Sequence, residues 1–91
     1  MPLTRKRLLV SGGVQGVGFR WFAAETARLC RVTGWVRNNP DGTVEVEAQG
    51  GPAALAGFTA AVRKGPRFAE VASVEERDIA VQAGETDFEI R

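Results

Sequence analysis

Leu8-Leu9-Val10-Ser11-Gly12-Gly13-Val14-Gln15-Gly16-Val17-Gly18-Phe19-Arg20 passes from an apolar run, through a loop holding four glycines, into a helix-like pattern. The run reads as a strand buried on both faces. Glycine permits positive φ and a close approach of backbone to ligand, because no Cβ stands in the way. A glycine loop between a strand and a helix start presents backbone N–H groups that the helix leaves unsatisfied. Those donors, with the positive end of the helix dipole, favour an anion and above all a phosphate. Arg20 at the helix entrance adds a planar fork of donors suited to bidentate phosphate binding. The loop lacks the Gly-Lys-Ser/Thr ending of a nucleotide P-loop and the G-x-G-x-x-G spacing of a dinucleotide site. On spacing alone, a tight structural turn and an anion site both fit it.

Outward from this stretch, Met1 to Lys6 reads as a basic lead-in and Arg7 to Ser11 as the first strand. Arg20 to Cys30 reads as a helix, with Phe19, Phe22, Ala23, Thr26, Ala27 and Cys30 in one apolar stripe and Glu25 and Arg28 opposite. It should close near Arg31, where a glycine would be the comfortable left-handed cap. Thr33 to Asn39 and Thr43 to Gln49 are the second and third strands. Asn39-Pro40-Asp41-Gly42 between them is turn chemistry, so the two form an antiparallel hairpin. Val44, Val46 and Ala48 alternate with Thr43, Glu45 and Glu47, which predicts one face in the core and one in water. Arg37 can then meet Glu45 or Glu47 across a solvated surface, where such pairs contribute little. Gly51-Pro52 opens a second helix whose stripe is Leu55, Phe58, Ala61 and Val62, and Gly65-Pro66 ends it. Phe68 to Ile79 reads as a long fourth strand, Ala80 to Glu85 as a loop, and Thr86 to Ile90 as a short last strand.

The order β-α-β-β-α-β plus a short last strand is that of a ferredoxin-like split β-α-β sandwich, an α+β fold with two helices on one face of an antiparallel sheet. In that topology the second strand runs parallel to the first. Its carboxyl end, with Asn38, therefore falls on the same edge as Arg20. An anion cradle and a neutral amide would share a crevice, and an amide can orient a water without titrating.

Composition narrows the chemistry. The 91 residues suit one domain, burying roughly 60–70 % of the surface of the unfolded chain. With no histidine, there is no Ser-His-Asp triad, Cys-His pair or imidazole base, and no His metal site. The lone Cys30 excludes an internal disulfide and fits core packing. Twelve basic against eleven acidic residues give a net charge of +1, not the footprint of a nucleic-acid binder. No run approaches the roughly 20 apolar residues of a membrane span, and no secretory leader precedes the first strand, so a cytoplasmic protein is expected. Nothing in the charged surface demands an oligomer, and a monomer is the default.

Two stretches together resemble the signatures of the acylphosphatase family: Gly13-Val14-Gln15-Gly16-Val17-Gly18-Phe19-Arg20, and Gly34-Trp35-Val36-Arg37-Asn38 followed by Gly42-Thr43-Val44. The resemblance extends over nearly the whole chain, residues 1–91 being read as a single acylphosphatase-like domain. It implies that Arg20 binds the substrate phosphate, that Asn38 positions the attacking water, and that the backbone of Gln15, Gly16, Val17, Gly18 and Phe19 is the phosphate cradle. The implied reaction is hydrolysis of a carboxyl–phosphate anhydride to a carboxylate and inorganic phosphate, with no metal and no cofactor. The partner is a small-molecule acyl phosphate, not nucleic acid or membrane. The chain departs from the family pattern at Gly13, where many members carry a basic residue, and at Arg31, where a glycine is usual.

Two other functions fit the same element order. An RNA-recognition domain would need stacking aromatics on its central strands, and Leu8-Leu9-Val10 and Val44-Glu45-Val46 supply none. A domain that binds phosphate or carbamoyl phosphate without turnover is the second, and domains similar to this one occur in larger carbamoyl-transfer proteins. The chain reads as complete and free-standing, which favours an enzyme. Read singly, Trp21 and Trp35 fit partial packing better than a substrate rim.

Overall fold

In the computed structural model, which describes residues 2–91, seven elements follow the expected order. They are β1 (Thr4–Gly13), α1 (Phe19–Cys30), β2 (Thr33–Asn38), β3 (Val44–Gly50), α2 (Pro52–Lys64), β4 (Glu70–Ile79) and β5 (Phe88–Ile90). The strands form one sheet in the order β4-β1-β3-β2-β5. This is the ferredoxin-like α+β arrangement, with the first and third strands central.

The sheet is mixed rather than wholly antiparallel. β1 pairs antiparallel with β3 and β4, and β2 antiparallel with β3, but β5 joins β2 in parallel. β4 takes the free edge of β1, so the remaining edge is that of β2. The chain crosses from β4 to reach it, and arrives running the same way as β2. Two bonds fix β5 there: the Gly34 N–H donates to Asp87 O at 3.0 Å, and the Arg91 N–H to Val36 O at 2.8 Å. β5 is three residues long, shorter than the expected Thr86 to Ile90.

Leu8, Val10, Val36, Val44, Val46 and Ala48 point to one sheet face and form the core with Phe19, Ala23 and Ala27 of α1 and Leu55, Phe58 and Val62 of α2. Both helices therefore lie on that face. Burying side chains of this size contributes about 1.5–3 kcal/mol each, which makes this face the main source of stability. Thr59 is buried on α2 where Ala61 was expected, the stripe being shifted by one helical neighbour. Gly34 is required by a close approach: at φ 141° a Cβ would stand 1.8 Å from the carbonyl oxygen of Glu47.

The opposite face is not the solvated surface that the alternation predicts. Glu45 and Gln49 are buried there, and so is Arg5. The lead-in up to Lys6 is not a tail either: β1 begins at Thr4, while Met1 lies outside the described residues. The cause is a layer of ion pairs. Arg5 donates to Glu47 at 3.0 Å and to Glu85 at 2.8 and 3.2 Å, and Glu45 accepts from Arg7 at 2.8 Å and from Arg37 at 2.9 Å. Burial by itself would raise the Glu45 carboxyl, but the bonds and charges of Arg7 and Arg37 outweigh it and hold it below the usual carboxylate range. Leu9, expected to be buried, is only half-buried on this face.

α1 closes at Arg31, which adopts the left-handed conformation (φ 58°, ψ 47°) usually left to glycine. The Val32 N–H then bonds Ala27 O at 2.8 Å, satisfying a carbonyl of the last turn. Phe68 lies outside β4, which starts at Glu70, because a turn closed by the Ala69 N–H on Pro66 O (3.1 Å) precedes it.

Candidate active site

β1 ends at Gly13 and α1 begins at Phe19, so residues 14–18 form the connecting loop. Val14 is fully buried and Val17 packs against the core, which pins the loop from below. Gly16 and Gly18 have φ of 76° and 77°, a curl that side chains with a Cβ rarely adopt. Added Cβ atoms would meet nothing within 4 Å at either position, so conformation and not crowding calls for glycine here. The first helical bond runs from the Phe22 N–H to Gly18 O at 3.0 Å. The amides of residues 15–19 enter none of the backbone hydrogen bonds among the described residues. Of these, Phe19 is the first residue of the helix, so its N–H has no intrahelical acceptor, and residues 15–18 lead into the helix's positive end as loop.

Gly16, Gly18, Phe19, Arg20 and Trp21 line a crevice of about 250 Å³ together with Val14, Asn38 and Ile90. The end of β2 reaches this edge because β2 runs parallel to β1 with β3 between them. Arg20 and Asn38 are thus brought to the same crevice, from the first turn of α1 and the last residue of β2. Arg20 is exposed and has no carboxylate partner among the described residues. Asn38 is half-buried. Two of the five loop residues read as a cradle do not line the crevice: Gln15 turns its side chain to the β2–β3 hairpin, and Val17 turns its side chain to the core.

The two tryptophans have different fates. Trp35 is buried on the ion-pair face, with the guanidinium groups of Arg37 and Arg91 each 5.1 Å from the ring centre. Trp21 is 67 % exposed and stands at the crevice with Ile90, 49 % exposed. Trp35 is therefore packed more fully than the partial packing expected of both rings, while Trp21 sits at the rim. Nothing in the sequence marks Ile90 as a site residue, because its place depends on β5 pairing with the distant β2.

The hairpin beside the site is tightly held. The Asp41 carboxylate accepts from the Thr43 hydroxyl at 2.6 Å and the Thr43 N–H at 3.0 Å, bonds that lower its pKa below the ordinary aspartate value. A second and larger groove, about 750 Å³, lies between α2 and the start of β1. It is at the other end of the strand from the glycine loop, and its bases are all paired, Lys6 and Arg63 with Glu76 and Arg5 with Glu47 and Glu85. No helix among the described residues is long and apolar enough to cross a membrane.

The family model described as acylphosphatase matches residues 6–90. An acylphosphatase of Geobacillus kaustophilus is 46% identical over 90 residues, covering 97% of this chain and 94% of the relative. One of Chlorobaculum tepidum is 43% identical over 90 residues, covering 97% and 98%. The crystal structure of an acylphosphatase from Bacillus subtilis superposes with a TM-score of 0.92 at 38% identity, covering 99% of each chain. On both sequence and backbone, this chain belongs to the acylphosphatase family.

Proposed function

We propose that this acylphosphatase-family hydrolase cleaves the carboxyl–phosphate anhydride of acyl phosphates with Arg20 and the 15–19 loop as phosphate site and Asn38 as water holder. The supporting observation is that Arg20, Asn38 and the loop residues Gly16, Gly18 and Phe19 line one crevice. Arg20 and the unsatisfied amides of Gln15, Gly16, Val17, Gly18 and Phe19 grip the phosphoryl oxygens. The Asn38 carboxamide aims a water at phosphorus. The new P–O bond forms as the bond to the acyl oxygen breaks, and the carboxylate leaves with the bonding pair. A phosphate oxygen of the substrate takes the proton of the attacking water. An acyl phosphate has a good leaving group, so catalysis consists of positioning and of fixed donors facing the charge. No histidine is needed, and none is present. No metal or cofactor enters the scheme. Residues 1–91 act as one domain, a cytoplasmic monomer that binds neither nucleic acid nor membrane.

The test is phosphate release from benzoyl phosphate in the presence of a metal chelator, for the parent chain, Arg20→Ala and Asn38→Ala. Turnover by the parent, unaffected by the chelator and strongly reduced but measurable in both variants, is expected. Activity of Asn38→Ala close to that of the parent refutes the water-holder role. Phosphate binding without turnover by the parent refutes the hydrolytic reading.

A further inference from the structure

We infer that Gln15 is a positioning residue for this reaction, setting Asn38 against the phosphate loop through the carbonyls of the β2–β3 hairpin. The inference rests on the reading of Asn38 as water holder. The Gln15 Nε2 donates to Asn39 O at 2.7 Å and to Thr43 O at 2.9 Å, across sequence separations of 24 and 28 residues. Both hydrogens of one carboxamide are thereby used, each on the main chain and neither on a movable side chain.

The two carbonyls are the base of the hairpin. The Asn39 N–H donates to Thr43 O at 2.9 Å, the Gly42 N–H to Asn39 O at 3.2 Å, and Asn39 Nδ2 to Thr43 Oγ1 at 3.1 Å. Asn39 directly follows Asn38, so holding its carbonyl holds the end of β2. Gln15 is itself the first residue after Val14, which the core immobilises. One side chain therefore spans the two segments that supply the phosphate donors and the water holder. The Asn38 carboxamide makes no hydrogen bond of its own among the described residues, so its position relative to the loop depends on where its backbone is held. A donor of this length is required: glutamate would set a carboxylate against two carbonyl oxygens, and methionine has the reach but no N–H.

Misplacement of a catalytic group lowers turnover more than it lowers ground-state binding. Gln15→Met and Gln15→Glu are measured with benzoyl phosphate, and inorganic phosphate is used as competitive inhibitor to report on the loop. A fall in kcat of about tenfold with phosphate inhibition unchanged is expected. The same substitutions are then made in Asn38→Ala, where they should cost almost nothing more, because two residues acting through one group are not additive. An equal further loss in the Asn38→Ala background overturns the inference, since a merely structural role would persist there. Loss of phosphate inhibition in step with kcat also overturns it, because Gln15 would then act on the cradle. If Asn38→Ala alone retains full activity, the reading of Asn38 fails and takes the inference with it. If Asn38→Ala is impaired and both Gln15 variants are not, only the inference fails. The two Gln15 variants keep the side chain's length and remove both N–H donors, one without charge and one with it, so a shared effect belongs to the lost donors.

Discussion

Arg5 and Glu85, 80 positions apart, meet in a two-pronged ion pair, with guanidinium nitrogens 2.8 and 3.2 Å from the two carboxylate oxygens. Arg5 is 2 % exposed, so the loop after β4 covers a buried cation at the start of β1. Gln49 completes the cluster: its Oε1 accepts from Arg5 at 3.3 Å and from the Gln82 N–H at 2.8 Å. The pair anchors the segment that leads to β5, and β5 carries Ile90 to the crevice.

Glu85→Gln should destabilise the fold by about 1.5–3 kcal/mol at neutral pH, the worth of hydrogen bonds to a charged group. Burial alone would raise the Glu85 carboxyl, but the hydrogen bonds and charge of Arg5, with the charge of Arg91, hold it below its ordinary value. A lowered folded pKa means stability present above the unfolded value of about 4.3 and lost as pH falls through the folded one. Urea midpoints of the parent should therefore decline below that pH, and Glu85→Gln should show a shallower decline. Equal slopes for the two chains would argue against the assignment.

Arg31→Gly should stabilise the protein by about 0.5–1 kcal/mol. A side chain in the left-handed region costs about 1–2 kcal/mol, from which the greater unfolded freedom of glycine takes back a part. Arg31 is exposed and makes no ion pair among the described residues, so little else is lost. Chemical denaturation reads the change, and catalysis should be untouched, the position lying at the far end of α1 from the loop.

Arg20→Ala and Asn38→Ala should differ in kind. Removing the guanidinium should cost about 2.7–4 kcal/mol in the barrier, the scale of an oxyanion donor, and should weaken inhibition by inorganic phosphate. Removing the carboxamide should lower kcat while leaving phosphate inhibition near that of the parent. Steady-state kinetics with product inhibition separates the two patterns. Identical patterns would contradict the division of roles.

Trp21→Ala should reduce kcat/KM for benzoyl phosphate about 2- to 10-fold, the scale of an aromatic contact, and leave acetyl phosphate nearly unaffected. Its ring and Ile90 make an apolar rim beside Arg20, where the acyl group of a bound substrate would extend. A uniform loss with both substrates would place Trp21 in support of the loop and not of the acyl group.

Much of the candidate site's geometry is legible in the sequence because its parts are local. The strand, glycine curl and helix start from Leu8 to Arg20 are contiguous, and the turn at Asn39 to Gly42 announces its hairpin. The juxtaposition of Arg20 with Asn38 follows from topology, since a split β-α-β unit makes β1 and β2 parallel. The ionic layer is not legible in the sequence because Glu45 and Glu47 alternate with valines as any solvated strand face would. Only the cations of β1 and the arrival of Glu85 bury that face. The sequence points only to the backbone of Gln15, because its side-chain partners lie in another segment and are carbonyls, which carry no residue signature.

By itself, the amino-acid sequence determined the element order, the helix-bearing face of the sheet, the glycine curl and the family, since periodicity, turn chemistry and motif spacing act over short range. The tertiary structure alone decided that β5 lies parallel to β2, that Arg5 is buried, that Trp21 and not Trp35 reaches the crevice, and that Gln15 ties loop to hairpin. Each of these depends on which sheet edge stays free and which distant groups then come within hydrogen-bonding range. Such pairings are settled by packing the whole chain, not by any stretch of it.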